Sequence, residues 1–182
     1  REVFNRYQLQ PQVENLLPFQ LSGGMARRVL VSTAVVSGAK LIIADEPTPG
    51  LDAAAVKETL GFFRELADNG SAVILITHDI ETALKVADRI AVFYAGTTVE
   101  VAPAKDFAGK GENLRHPYSK ALWKALPQND FTPIPGFQPL PNALPSGCLF
   151  EPRCSWATCQ CATAQPEARM LRNGMVRCNH AT

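Results

Sequence analysis

Two stretches limit this chain more than anything else in it: Leu21-Ser22-Gly23-Gly24-Met25, and Leu41-Ile42-Ile43-Ala44-Asp45-Glu46 about twenty residues later. The first is polar and glycine-rich, and Ser22 is a good N-cap for the helix that follows. A helix N-terminus carries unpaired backbone N–H groups and a partial positive charge, so it suits an anion such as phosphate. The second is an apolar run with no polar alternation, as expected of a parallel strand buried on both faces. The two carboxylates that end it suit a magnesium ion and an attacking water.

The surrounding pattern alternates helix and strand. A helix is expected from about Gly23 to Ser37, with Val29, Leu30, Ala34 and Val36 supplying its buried face and Gly38 closing it. Asp52 caps a second helix that runs to about Asn69-Gly70. Ala72-Val73-Ile74-Leu75-Ile76 is a second buried strand, and a short helix follows over about 80–87. Two more strands, 89–94 and 97–101, flank a turn at Gly96. This alternation predicts an α/β domain with a mostly parallel sheet. Prolines 11 and 18 break the first twenty residues into the end of a helix and a loop.

From 127 to 145 six prolines fall within nineteen residues, a composition for extended loop. One short helix over 118–126 precedes it and a cysteine cluster follows, with four of the five cysteines within 148–161. The composition changes enough to divide the chain at 102/103, with a cysteine module over 147–180. The formal charge of +1 gives no nucleic-acid footprint. No apolar run approaches the roughly 18 residues of a membrane span. An odd cysteine count beside phosphate-handling motifs argues against a disulfide scaffold.

Ser22, Gly23 and Gly24 resemble the signature loop of an ATP-binding cassette (ABC) ATPase, and Asp45-Glu46 its Walker B strand. Pro47-Thr48-Pro49-Gly50-Leu51-Asp52 resembles the D-loop, with Asp52 in its usual place. His78, thirty-two residues after Glu46 in Ile76-Thr77-His78-Asp79, resembles the switch histidine. The resemblance implies a partial P-loop NTPase fold. It implies that Glu46 orients or deprotonates the attacking water and that His78 contacts the γ-phosphate. Asp45 would hold Mg2+, while Ser22, Gly23 and Gly24 would clamp ATP bound on an opposite subunit, coupled through Asp52. Met25 stands where the family most often has Gln, a substitution common in the oligopeptide and nickel importer branch.

The tail points to the same branch. His116-Pro117-Tyr118 with Ala121-Leu122 resembles its H-P-Y-[ST]-x-x-L segment. Cys148-x5-Cys154-x6-Cys161, then Cys178 after sixteen intervening residues, resemble its cysteine motif, strengthened by Pro152-Arg153. By that resemblance these four would ligate a [4Fe–4S] cluster, with Cys159 an extra sulfur outside the pattern. Zinc on the same thiols, with His180 as a substitute ligand, is an alternative, although the spacings are wide for zinc knuckles. Plain thiols packed against Phe150 and Trp156 are another.

No G-x-x-x-x-G-K-[ST] occurs in these residues, so the Walker A loop is missing and the chain reads as the second half of a cassette with its extension. Alone it is expected neither to bind ATP tightly nor to hydrolyse it. The intact protein is expected to be a transport ATPase for peptides or nickel, peripheral on the cytoplasmic face of the cell membrane. Its partners would be a second ABC ATPase subunit, identical or not, a permease pair and, indirectly, an extracytoplasmic binding protein. The competing readings are a non-transport ABC ATPase and a non-enzymatic iron–sulfur or zinc docking module.

Overall fold

The structure is a computed structural model that describes residues 2–7, 9–36 and 38–182. The chain forms two compact units that part between Val86 and Ala87, before the strands of 89–103 rather than after them as the composition shift would place it.

In the first unit, α1 (Glu2–Arg6) and α2 (Gly23–Val36) lead into β1 (Leu41–Asp45). Then come α3 (Ala53–Asp68), β2 (Ala72–Ile76) and α4 (Ile80–Leu84). β1 and β2 pair in parallel, from Leu41 opposite Ala72 to Asp45 opposite Ile76, with α3 as the crossover. Asp52 caps α3 by accepting the Ala55 N–H at 2.8 Å, and Leu60, Phe63 and Leu66 recur on its inner face. The core is Tyr7, Val31, Ile42, Phe63 and Leu66. Tyr7 stands edge-on to Phe62 with ring centroids 4.8 Å apart.

Two expectations for this unit are corrected. α2 turns Val31, Ala34 and Val35 to the core, at i, i+3 and i+4, whereas Leu30 and Val36 are exposed. Buried Ser32 is accommodated on that inner side because its hydroxyl donates to the Arg28 carbonyl at 2.7 Å. Gly38 follows the helix at φ +62, its N–H donating to the Val35 carbonyl. The expected helix end at Ser37 lies outside the described residues. The strands are apolar on both faces but buried on one only. Leu41, Ile43, Ile74 and Ile76 stay exposed, because helices of this unit cover one side of the pair.

The second unit holds an antiparallel sheet in the order β3-β4-β6-β5. β3 (Arg89–Tyr94) and β4 (Thr97–Pro103) form a hairpin through Ala95 and Gly96, both at positive φ. Parallel pairing is thus confined to β1 and β2. The tail, expected to be irregular, adds a second hairpin of β5 (Arg169–Leu171) and β6 (Gly174–Val176). Its two-residue loop puts Arg172 and Asn173 at φ +45 and +61. β6 pairs with β4, Glu100 opposite Val176, so residues near the end of the tail complete the sheet.

Charge is buried between that sheet and α5 (Pro117–Lys124). Glu100 and Arg115 are almost wholly inaccessible, and Asp106 nearly so. The Glu100 carboxylate accepts the backbone N–H groups of Arg115 and His116, both at 2.9 Å, and the Arg115 guanidinium at 3.2 Å. Arg115 reaches Asp106 at 2.8 Å and donates to the carbonyls of Leu171 and Arg172 on the β5–β6 turn. Every charge has an opposite partner and directed hydrogen bonds, the condition under which burial is tolerated. The proline-rich run is tied down by Arg153, which donates to the carbonyls of Ile134 and Pro135 and to the Tyr94 hydroxyl.

Candidate functional site

The first unit places its chemistry where β1 and β2 end. The register sets their carboxyl ends side by side, and the Glu46 N–H continues the ladder by donating to the Ile76 carbonyl at 2.9 Å. Glu46 then turns at φ +42, the left-handed region that non-glycine residues rarely occupy. That turn carries its side chain across to β2, where Oε1 lies 2.8 Å from His78 Nδ1 and accepts the His78 backbone N–H at 3.2 Å. Its other oxygen, Oε2, is buried and has no hydrogen-bond partner among the described residues. The Glu46 hydrogen bond, reinforced by the charges of Glu46 and Asp79, raises His78 above its ordinary range. The imidazole thus occupies one carboxylate oxygen and leaves the other as the acceptor that a water would reach once that oxygen is uncovered.

Asp45 is exposed at the end of β1. The Ser22 hydroxyl oxygen accepts the Met25 N–H at 3.2 Å, which caps α2 and leaves the hydroxyl proton free to donate. Gly23 and Gly24 are exposed, and a Cβ added to either would meet nothing within 4 Å. Asp52 is occupied as the cap of α3. The structure therefore brings Glu46 and His78 into contact, sets Asp45 beside them, and leaves Ser22, Gly23, Gly24 and Asp52 hydrogen-bonded only to their own helix starts or open.

The second unit gathers sulfur. Cys148, Cys154, Cys161 and Cys178 all line one small cavity beside His116, whereas Cys159 is exposed away from it. All five are free thiols. Gly147 allows the close approach that builds this cavity. A Cβ there would lie 2.2 Å from the Cys161 carbonyl oxygen, which accepts the Cys148 N–H at 2.7 Å. Burial pushes the thiols of Cys148, Cys154 and Cys178 up, and the neighbouring sulfurs add to that. Backbone N–H groups oppose it: those of Phe150 and Glu151 at Cys148, Trp156 at Cys154, and His180 and Ala181 at Cys178. N–H groups directed at sulfur stabilise thiolate and suit a bound cation or cluster. His180 Nε2 lies 3.3 Å from Cys161 Sγ and 3.1 Å from Thr158 Oγ1. Among the described residues no three His, Cys, Asp or Glu side chains are arranged to share one metal ion.

Residues 1–49 match the family described as ABC transporter, and residues 99–161 match the family described as oligopeptide/dipeptide transporter, C-terminal region. The chain belongs to the ABC transporter ATP-binding proteins. It is 38% identical over 166 residues to the dipeptide transport ATP-binding protein DppD of Escherichia coli (strain K12), which covers 88% of this chain and 50% of that protein. It is 37% identical over 168 residues to the oligopeptide transport ATP-binding protein OppD of Haemophilus influenzae, covering 89% and 51%. The chain thus spans about half the length of the curated relatives it matches. Among solved structures it resembles a metal-chelate type ABC transporter in an inward-facing conformation. The TM-score is 0.54 and the identity 24%, over 62% of this chain and 45% of that one, a likeness of fold. The α/β cassette fold expected from the motifs is the fold found.

Three functional candidates escaped sequence reasoning: Glu100 and Arg115, each an ordinary charged residue in print, and the internal role of His116. The last had a signal, since an imidazole is an unusual choice where Ser, Asp or Asn would cap a helix better.

Proposed function

We propose that the chain is the C-terminal part of the ATP-hydrolysing subunit of an ABC importer of short peptides. The observation that carries this reading is the Glu46–His78 pair at the adjoining ends of two parallel strands, with Glu46 Oε2 unpartnered. Catalysis of phosphoryl transfer to water is positioning and electrostatics. Glu46 holds the water in line and takes its proton, and His78 steadies that carboxylate while facing the γ-phosphate. Asp45 holds Mg2+ through water, and ATP with its Mg2+ supplies the phosphoryl group. Ser22, with a proton free to donate, and the uncrowded N–H groups of Gly23 and Gly24 serve the nucleotide of an opposing subunit. Peptide rather than nickel is favoured because relatives at 36–38% identity carry dipeptide, peptide or oligopeptide names. The assembly follows from the family: two ATPase subunits beneath a permease pair, peripheral on the cytoplasmic face of the membrane. No helix among the described residues is long and apolar enough to cross it.

The cysteine cavity is a site for a [4Fe–4S] cluster held by Cys148, Cys154, Cys161 and Cys178. Zinc needs its donors around one point, while a four-iron cluster takes one thiolate at each iron, so its sulfurs stand apart around a cage. Four thiols lining one cavity are the observation that supports this reading. The bound group would cross-link the stretch of Cys148, Cys154 and Cys161 to the end of the tail at Cys178.

The deciding experiment is Glu46→Gln in the full-length subunit assembled with its partners. Magnesium-dependent ATP turnover falls by about 100-fold or more while ATP affinity is kept. Near-normal turnover overturns the assignment, as does magnesium-dependent hydrolysis by residues 1–182 alone.

A further inference from the structure

His116 opens the His116-Pro117-Tyr118 segment, yet the ATPase reading gives it no task. As the cap of α5 its Nδ1 accepts the Tyr118 N–H at 3.0 Å, so in the neutral ring the proton sits on Nε2. Burial holds the ring neutral, its pKa pushed down to about 4, with the Arg177 backbone the one neighbour that favours its charged form. The Arg177 N–H in turn donates to the Val99 carbonyl of β4 at 2.9 Å. Arg177, just before Cys178, is thus tied to β4 on one side and faces the His116 ring on the other. The ring itself lines the cysteine cavity and shares a second small cavity with Arg177, with the Phe150 centroid 6.0 Å away.

Its neighbour holds the other end of the same strand. Arg115 donates to Leu171 and Arg172 at the β5–β6 turn, and Gly174 is there because a Cβ would lie 2.7 Å from the guanidinium carbon. Both residues are registered by the one carboxylate of Glu100. Cys148, Cys154 and Cys161 sit on one local stretch, locked by the Cys148–Cys161 backbone bond and a turn from Glu151 to Cys154. Cys178 arrives from a distant hairpin and needs separate placement.

We infer that His116 is a positioning residue for the sulfur cage: by holding Arg177 it sets where the Cys178 sulfur stands relative to the other three. This rests on the reading that the four sulfurs share one bound group. The competing role is a plain helix cap, and substitution separates the two. Asn at 116 can still cap but cannot reach Arg177; Gln carries a donor that can.

The test alkylates the metal-free chain with iodoacetamide and follows each cysteine by mass spectrometry. His116→Asn and His116→Ala raise the Cys178 rate about tenfold while Cys148, Cys154 and Cys161 stay within about twofold, and His116→Gln restores the wild-type pattern. After anaerobic loading with iron(II) and sulfide, His116→Asn loses one iron to a ferrous chelator about tenfold faster than wild type. In the unmodified chain, nitrogen-15 spectra give a neutral ring protonated at Nε2. Wild-type behaviour of His116→Asn overturns the inference, as does an equal rise at all four cysteines or a ring protonated at Nδ1. If the wild-type chain takes up no iron and sulfide, the cluster reading fails instead, and the alkylation pattern still decides the role of His116.

Discussion

The two units reach stability by different routes. The first rests on a small apolar cluster of Tyr7, Val31, Ile42, Phe63 and Leu66, and one face of its strand pair is left bare. Its polar chemistry lies outside, with the His78 side chain 81% exposed. The second buries its charge: Glu100, Arg115 and Asp106 stand inside, joined to backbone groups from two segments of chain. Apolar contact is non-directional and forgives substitution on an uncovered side. A buried ionic network is directional, so it fixes a register and fails when one member is lost. The contrast says which unit needs a neighbour and which carries its own constraints.

Removing one charge is the strongest way to break this contrast. Arg115→Ala strands two buried carboxylates and is expected to cost about 3–5 kcal/mol, read as loss of the second unit's transition in urea. Next comes pH. His116 takes up a proton near 6.5 when unfolded but only at about 4 when folded. Its contribution is complete above 6.5 and is lost as pH falls through that window, roughly 3 kcal/mol in the metal-free chain at about 1.36 kcal/mol per pKa unit. His116→Gln removes this slope; a wild-type stability that stays level from pH 7 to 4 contradicts it. The smallest effect sharpens the other side: Ile43→Ser, on the bare face, changes the stability of residues 1–182 by less than about 0.5 kcal/mol. A clear loss there means that something in this chain covers the face.

The sequence made the first unit's working parts legible because they are local. Ser22 and Asp52 cap the helices they precede, and the short apolar runs at 41–45 and 72–76 are the paired strands. The rotation of α2 was not legible, since Leu30 and Val31 are equally apolar and only packing against Tyr7 and Phe63 chooses between them. In the tail, the resemblance to the importer branch's cysteine motif singled out the four cysteines that line one cavity, while the exposure of Cys159 is a tertiary fact. The β5–β6 hairpin was missed because its strands are three residues each and its turn residues are Arg172-Asn173, so the Asn173-Gly174 pair falls one place late for a two-residue turn signal. The Glu100–Arg115–Leu171 connection spans separations of 15 and 56 residues, and no periodicity encodes it.

The pairing of β4 with β6 has a consequence for synthesis on the ribosome. Glu100 is made long before Val176, so β3 and β4 emerge as a hairpin with an open edge and a carboxylate still lacking its Arg115 partner. A nascent chain halted before residue 174 cannot finish this layer. A cavity lined by all four of these sulfurs is then by necessity a late product, complete only in polypeptides whose translation has passed Cys178.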